Sequence, residues 1–124
     1  MNTTTNDPHL QSIELNDTLF KKITKTTLTQ IEYIYLSANP SLSKNQIDYL
    51  FLQNIDNVNI NLLRNKKCPK DKIDQFLALN DKIYNIAIAH NEKVEKEVYD
   101  KLLALNDFDV TCSLEYIQSI KKGL

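Results

Sequence analysis

An all-α repeat fold is what this sequence predicts, and three observations carry that expectation. Asparagines recur in two ladders with one interval: Asn39, Asn65 and Asn91 are spaced by 26 residues, and Asn54, Asn80 and Asn106 follow at the same spacing. Apolar residues fall in matching columns. Counting from each first-ladder asparagine, the third residue on is Leu42, Cys68 or Val94 and the eighth is Ile47, Ile73 or Tyr99. Leu50, Phe76 and Leu102 come next, with Phe51, Leu77 and Leu103 directly after. Finally, Pro40 and Pro69 sit between the units, where a helix must stop or start.

The first half of each unit reads as a helix. Ile47, Leu50, Phe51 and Asn54 recur at three and four residues, which lines one helical face. Ser43 stands where an N-cap side chain satisfies free backbone donors, and Asp71 lies in the first turn of the equivalent helix, where the dipole favours a negative charge. Both asparagine ladders have a simple conformational explanation. Asparagine tolerates the left-handed backbone that ends helices, and the chain has one glycine, Gly123, for that purpose.

The second half of each unit is ambiguous by periodicity. Val58, Leu62 and Leu63 form a helical stripe, as do Tyr84, Ile88 and Ala89, yet Val58, Ile60 and Leu62 also alternate as a strand does. Residues 31–39 and 83–91 fit the leucine-rich-repeat pattern LxxLxLxxN, which would place a strand there. Two departures weigh against it. Asn57 occupies the first Leu slot of the middle unit, and the position two after each asparagine, apolar in that pattern, holds Ser41, Lys67 or Lys93.

The run Ala38-Asn39-Pro40-Ser41-Leu42-Ser43, then Ile47 and Leu50, then Asn80-Asp81, Tyr84, Ile88-Ala89 and Asn91, resembles the leucine-rich repeat variant, a HEAT-like bacterial repeat. Units of that family read NPxxPxxxLxxLAxDxxxxVRxxVAxN. The resemblance covers residues 32–114 and implies a short right-handed α-solenoid of stacked helix pairs. One departure concerns the arginine after the second-helix valine, replaced here by Asn59 or Asn85, and by Tyr33 in the first partial unit. Stacked pairs need capping elements. Residues 17–27, with Leu19, Phe20 and Ile23, would close one end, and residues 114–122, with Ile117 and Ile120, the other. The expected organisation is a polar N-terminal tail over residues 1–16 and a single α-helical repeat domain over 17–124.

Composition narrows the function classes. Fifteen Lys and Arg face 16 Asp and Glu, so no net field draws the chain to nucleic acid or an anionic membrane. Arg64 is the one arginine. No apolar run approaches the roughly 18 residues that span a bilayer, and Met1–Leu10 is too polar for a signal peptide, so a cytoplasmic protein without membrane contact is expected. Cys68 and Cys112 are too few for a disulfide framework and are expected to be reduced thiols. Metal-ligand spacings and a phosphate-binding glycine loop are missing, and a Cys68 or Cys112 nucleophile assisted by His90 is only a remote third reading, so no catalytic residue, metal or cofactor is expected. Heavy use of Asn, Lys and Ile points to a low-GC source genome.

A binding surface remains. If the second half-unit is a helix, a residue two positions from Val58 or Leu62 is rotated by about 200° from the core. That column is Ile34, Ile60, Ile86 and Cys112, and one turn on it reaches Ala38, Arg64, His90 and Tyr116, with Tyr35 as a further aromatic anchor. The expected partner is another protein, reached through Ile34, Tyr35, Ile60, Arg64, Ile86, His90 and Tyr116. A bacterial or phage stand-alone inhibitor of immunity or anti-defence type suits so small a solenoid, and homodimerisation through the same ridge is compatible with it. The alternative is a HEAT-like nucleic-acid binder using the basic turn at Lys66, Lys67, Lys70 and Lys72.

Overall fold

The computed structural model describes residues 7–123. A short 3-10 helix, Pro8–Gln11, is followed by eight α-helices: α1 (Asp17–Thr24), α2 (Gln30–Ser37), α3 (Lys44–Phe51), α4 (Asp56–Arg64), α5 (Lys70–Leu77), α6 (Lys82–Ala89), α7 (Lys96–Leu103) and α8 (Phe108–Lys121). No strand occurs among the described residues. The ambiguous second half-units are therefore helical. Val58, Leu62 and Leu63 are all fully buried while Ile60 between them is half-buried, so the core follows a period of three to four rather than two.

Most of these helices have eight residues, too few to be stable alone in water, so their ends carry much of the design. Asn16 caps α1 by accepting the Leu19 N–H. Thr29 with Glu32, and Ser43 with Gln46, form reciprocal capping boxes on α2 and α3. Asp81 and Asp107 accept N–H groups at the starts of α6 and α8. At the other ends, Asn54, Asn80 and Asn106 take the left-handed conformation, with φ of 55°, 52° and 54°, just beyond α3, α5 and α7.

The first asparagine ladder departs from that expectation. Asn39, Asn65 and Asn91 are not left-handed; each accepts the backbone N–H two residues on, from Ser41, Lys67 and Lys93, at 2.8, 2.8 and 2.9 Å. The amide groups of Asn39 and Asn91 then reach back along the chain. Asn39 donates to the carbonyls of Leu10 and Ile13, at 2.9 and 2.7 Å. Asn91 donates to those of Leu63 and Asn65, at 2.8 and 2.9 Å. Both side chains are 1% exposed. Their role is tethering, because a buried amide is stable only when its donors are satisfied.

The chain divides into two compact units between Leu62 and Leu63, within α4. In the first, α2 packs against the 3-10 helix and α3. Leu10, Phe20, Leu36, Ile47 and Leu50 are buried there, and Phe20 meets Tyr49 edge to face at 5.7 Å. Residues 7–16, placed in a polar tail by the sequence, are packed: Leu10 and Leu15 are buried, and the Leu15 N–H donates to Ser41 Oγ at 2.9 Å. Two leucines and the Leu10 and Ile13 carbonyls, which accept from Asn39, hold this otherwise polar segment against Asn39 and Ser41. Residues 1–6 of that expected tail lie outside the described residues.

In the second unit α6 is central, touching α5, α7 and α8. Ile73, Phe76, Ile88, Val98, Leu102, Val110 and Leu114 are buried, and Phe76 meets Tyr84 at 4.9 Å. Asn85, at the position where the resembled pattern has arginine, is 3% exposed. A guanidinium there would need a buried counter-charge, whereas the neutral amide leaves its buried Oδ1 without a hydrogen bond, a cost of about 1–3 kcal/mol. The expected closing segment is the end of α8, where Leu114 is buried, Ile117 half-buried and Ile120 exposed.

Leu50 and Leu102 are fully buried and Phe76 nearly so. Replacing either leucine by alanine is expected to cost about 2–5 kcal/mol, and Phe76→Ala about 3–5, in denaturant melts followed by circular dichroism. The two asparagine classes should respond oppositely to glycine. Asn80→Gly keeps a left-handed turn and should leave the melting temperature nearly unchanged. Asn91→Gly strips the donors from Leu63 and Asn65 and should cost about 1–3 kcal/mol.

Candidate functional site

The second helices carry the expected ridge residues on their less buried sides. Ile34 and Tyr35 on α2, and Ile60 on α4, are half-buried. Asn61 donates to the Ile34 carbonyl at 3.2 Å and to Ser37 Oγ at 3.0 Å, which holds α2 and α4 in register within the first unit. Ala38 and Arg64 are exposed. In the second unit Ile86 is half-buried, while Cys112 and Tyr116 on α8 are exposed. A helix packed between neighbours has its flanks covered, so a step of about 200° from the core leaves an isoleucine half-covered and not fully open.

Three of the named residues come together. His90 forms the C-cap of α6, and its Nδ1 lies 3.0 Å from the Ile86 carbonyl. Its ring sits beside that of Tyr116, with centroids 6.3 Å apart and planes tilted by 54°. Tyr116 is 59% exposed, so the ring pair stands partly open to solvent.

The basic turn is less basic than its sequence. Lys70 lies 2.9 Å from Asp74 and 3.6 Å from Glu95. Its amine is held above the ordinary lysine range, first by the hydrogen bond to Asp74 and then, against the opposing effect of desolvation, by the charges of Asp74, Glu95 and Glu97. Lys66 and Lys67 are exposed and Lys72 is half-buried. The i,i+4 spacing of Lys70 and Asp74 on one helix face is the reason for the pairing.

No group of three His, Cys, Asp or Glu side chains among the described residues is placed to hold a metal ion. Cys68 is buried and Cys112 exposed, and neither is in a disulfide. Among the described residues, no helix is long and apolar enough to cross a membrane.

Two features escaped the sequence reading. Leu79, Ile83, Leu103, Leu105 and Phe108 are 41–79% exposed at the α5–α6 and α7–α8 turns. Lys82 joins these turns, lying 3.5 Å from Asp107 and 2.9 Å from Asp109. The Asp107 carboxyl is held below its usual range chiefly by the Val110 N–H, against the opposing effect of desolvation, with the Lys82 charge adding to the lowering. Apolar residues in turns, where polar ones are the rule, were the available signal. The second feature is a cleft of about 690 Å³ whose walls include Ala89, Asn91, Val94, Tyr99, Leu114 and Ile117. Its only trace in the sequence is Ile117, which stands where the 26-residue spacing would put another asparagine.

The chain matches no protein-family model, no curated protein and no solved structure.

Proposed function

We propose that this protein is a non-catalytic protein-binding repeat module, a short right-handed α-solenoid of helix pairs that acts by covering a partner's surface. The observation that carries the reading is the meeting of the partly open His90 and Tyr116 rings, with half-buried Ile86 one helical turn before His90. Aromatic side chains bury much area at little entropic cost, and half-open isoleucines lose water readily on contact. The repeat component is supported by the left-handed turns at Asn54, Asn80 and Asn106, which recur at 26-residue intervals. The matching tethers of Asn39 and Asn91 support it further.

Within that reading, the contact residues are Ile34, Tyr35 and Ile60 in the first unit and Arg64, Ile86, His90 and Tyr116 in the second. The partner is another protein, and a bacterial or phage inhibitor of immunity or anti-defence type is the role that fits a small binding surface without catalytic groups. The nucleic-acid alternative is disfavoured by the pairing of Lys70 with Asp74 and Glu95, which leaves less free charge for phosphate in the basic turn.

Ile60→Glu, Ile86→Glu and Arg64→Glu, made separately, should leave thermal melts close to wild type and weaken binding to the partner captured from the native host. A central contact of this kind is worth about 2 kcal/mol or more. Phe108→Glu is the control, since this side chain is 79% exposed at the α7–α8 turn. Loss of binding in that variant alone would move the contact face to the turns. Unfolding of both isoleucine variants would mean that the column is interior. In mobility-shift titrations with duplex DNA or RNA across a salt series, weak retention that Lys66→Glu barely alters is expected; tight, steeply salt-dependent binding would favour the nucleic-acid reading.

A further inference from the structure

The turns that lead into α6 and α8 are copies of one another. Residues 77–81 and 103–107 have the same sequence, Leu-Ala-Leu-Asn-Asp, and Asn80 and Asn106 take the same left-handed conformation. The aspartates then cap the helices that follow, Asp81 accepting from Ile83 and Tyr84 and Asp107 from Val110. Lys82 links the two turns, lying 3.5 Å from Asp107 and 2.9 Å from Asp109. What this pair of turns presents to solvent is apolar. Leu79, Ile83 and Phe108 are 60, 57 and 79% exposed, and Leu105 is exposed as well.

The fold does not require those side chains. The α3–α4 turn reaches the left-handed conformation at Asn54 with Gln53 in the place of Leu79 and Leu105. Helices α4 and α6 begin on the charged Asp56 and Lys82, where α8 begins on Phe108. Isolated exposed leucines are common, but several held on linked turns mark a contact surface.

The charge on the same turns identifies the occupant. Residues 77–85 and 103–111 carry three carboxylates, Asp81, Asp107 and Asp109, against the single amine of Lys82, a net charge of −2. Lys82 is engaged by two of them, and Lys101, further back on α7, lies 3.5 Å from Glu97. We propose that this apolar, acid-flanked surface docks a basic amphipathic helix of another protein, its apolar face on Leu79, Ile83, Leu105 and Phe108 and its lysines or arginines towards Asp81 and Asp107. The spacing suits such a helix. Packing of α6 on α8 sets their axes about 8–10 Å apart, and residues i and i+7 of a helix lie about 10 Å apart along its axis, so one apolar face can meet both turns. A second copy meeting this surface face to face, or an anionic membrane, would bring like charge against it, which repulsion disfavours. The surface shares no residue with the pairing of His90 and Tyr116 and does not rest on their role.

The test is a titration of the isotopically labelled full chain with a capped synthetic peptide of repeating sequence LKKLLKL, a basic amphipathic helix. Amide resonances of Leu79, Ile83, Leu105 and Phe108 are expected to shift, and the affinity to fall as salt is raised. The matching LEELLEL peptide keeps the apolar face, reverses the charge and should bind about tenfold more weakly or worse. Asparagine caps helices as well as aspartate does, so Asp81→Asn combined with Asp107→Asn should leave the melting temperature unchanged while affinity for the basic peptide falls about threefold or more. Phe108→Ser should weaken binding about tenfold without unfolding the chain. Shifts confined to other surfaces, equal affinity for the two peptides, or full affinity in the double asparagine variant would overturn the proposal. So would a dimer of the chain alone that Phe108→Ser dissociates, because the occupant would then be a second copy. The peptide comparison alters nothing in the protein, so it decides the matter even if a variant misfolds.

Discussion

The bonds between buried asparagine amides and main-chain carbonyls are the constraint on which each unit depends. A helix of eight residues leaves a large share of its backbone groups without intrahelical partners, and the turns that follow cannot be buried until those groups are satisfied. Asn39 and Asn91 solve two problems at once. Each accepts an N–H to shape its own turn and donates two hydrogens to a stretch of chain 26 to 29 residues earlier. Leu36, Leu42, Ile88 and the rest of the core can then pack against turns that are already saturated.

That arrangement also explains the N-terminal segment. Leu10 and Ile13 offer Asn39 the carbonyls that Leu63 and Asn65 offer Asn91. A mostly polar stretch is thereby recruited into the first unit with little apolar area beyond Leu10 and Leu15.

Electrostatics sort the surfaces more than they stabilise them. Lys70 with Asp74, Lys82 with Asp109 and Lys96 with Asp100 are exposed pairs, so solvent screening leaves them little effect on stability. Their consequence is local neutrality, which removes Lys70 from a basic patch and Lys96 from the cleft rim. The faces left with character are apolar: the flanks of the second helices, and the turns around Leu79, Ile83 and Phe108.

Local chemistry was legible in the amino-acid order. The three-to-four spacing of Ile47, Leu50 and Phe51, the Ser43 cap and the left-handed asparagines at 54, 80 and 106 all follow from interactions within a few residues, so the all-helical class and many helix ends could be read directly. The sequence also marked Ile60 and Ile86 as lying off the core stripe. What it could not determine depends on groups distant along the chain. Both asparagine ladders look alike in one dimension, and only the presence of carbonyls 26 to 29 residues away makes Asn39 and Asn91 tethers and not left-handed caps. The packing of residues 7–16, the neutralisation of Lys70 by Glu95, the meeting of His90 with Tyr116 and the cleft beside Ile117 were likewise decided by tertiary structure. Periodicity reports which face of a helix is apolar, and it carries no information about which other segment supplies a hydrogen-bond partner or a covering side chain.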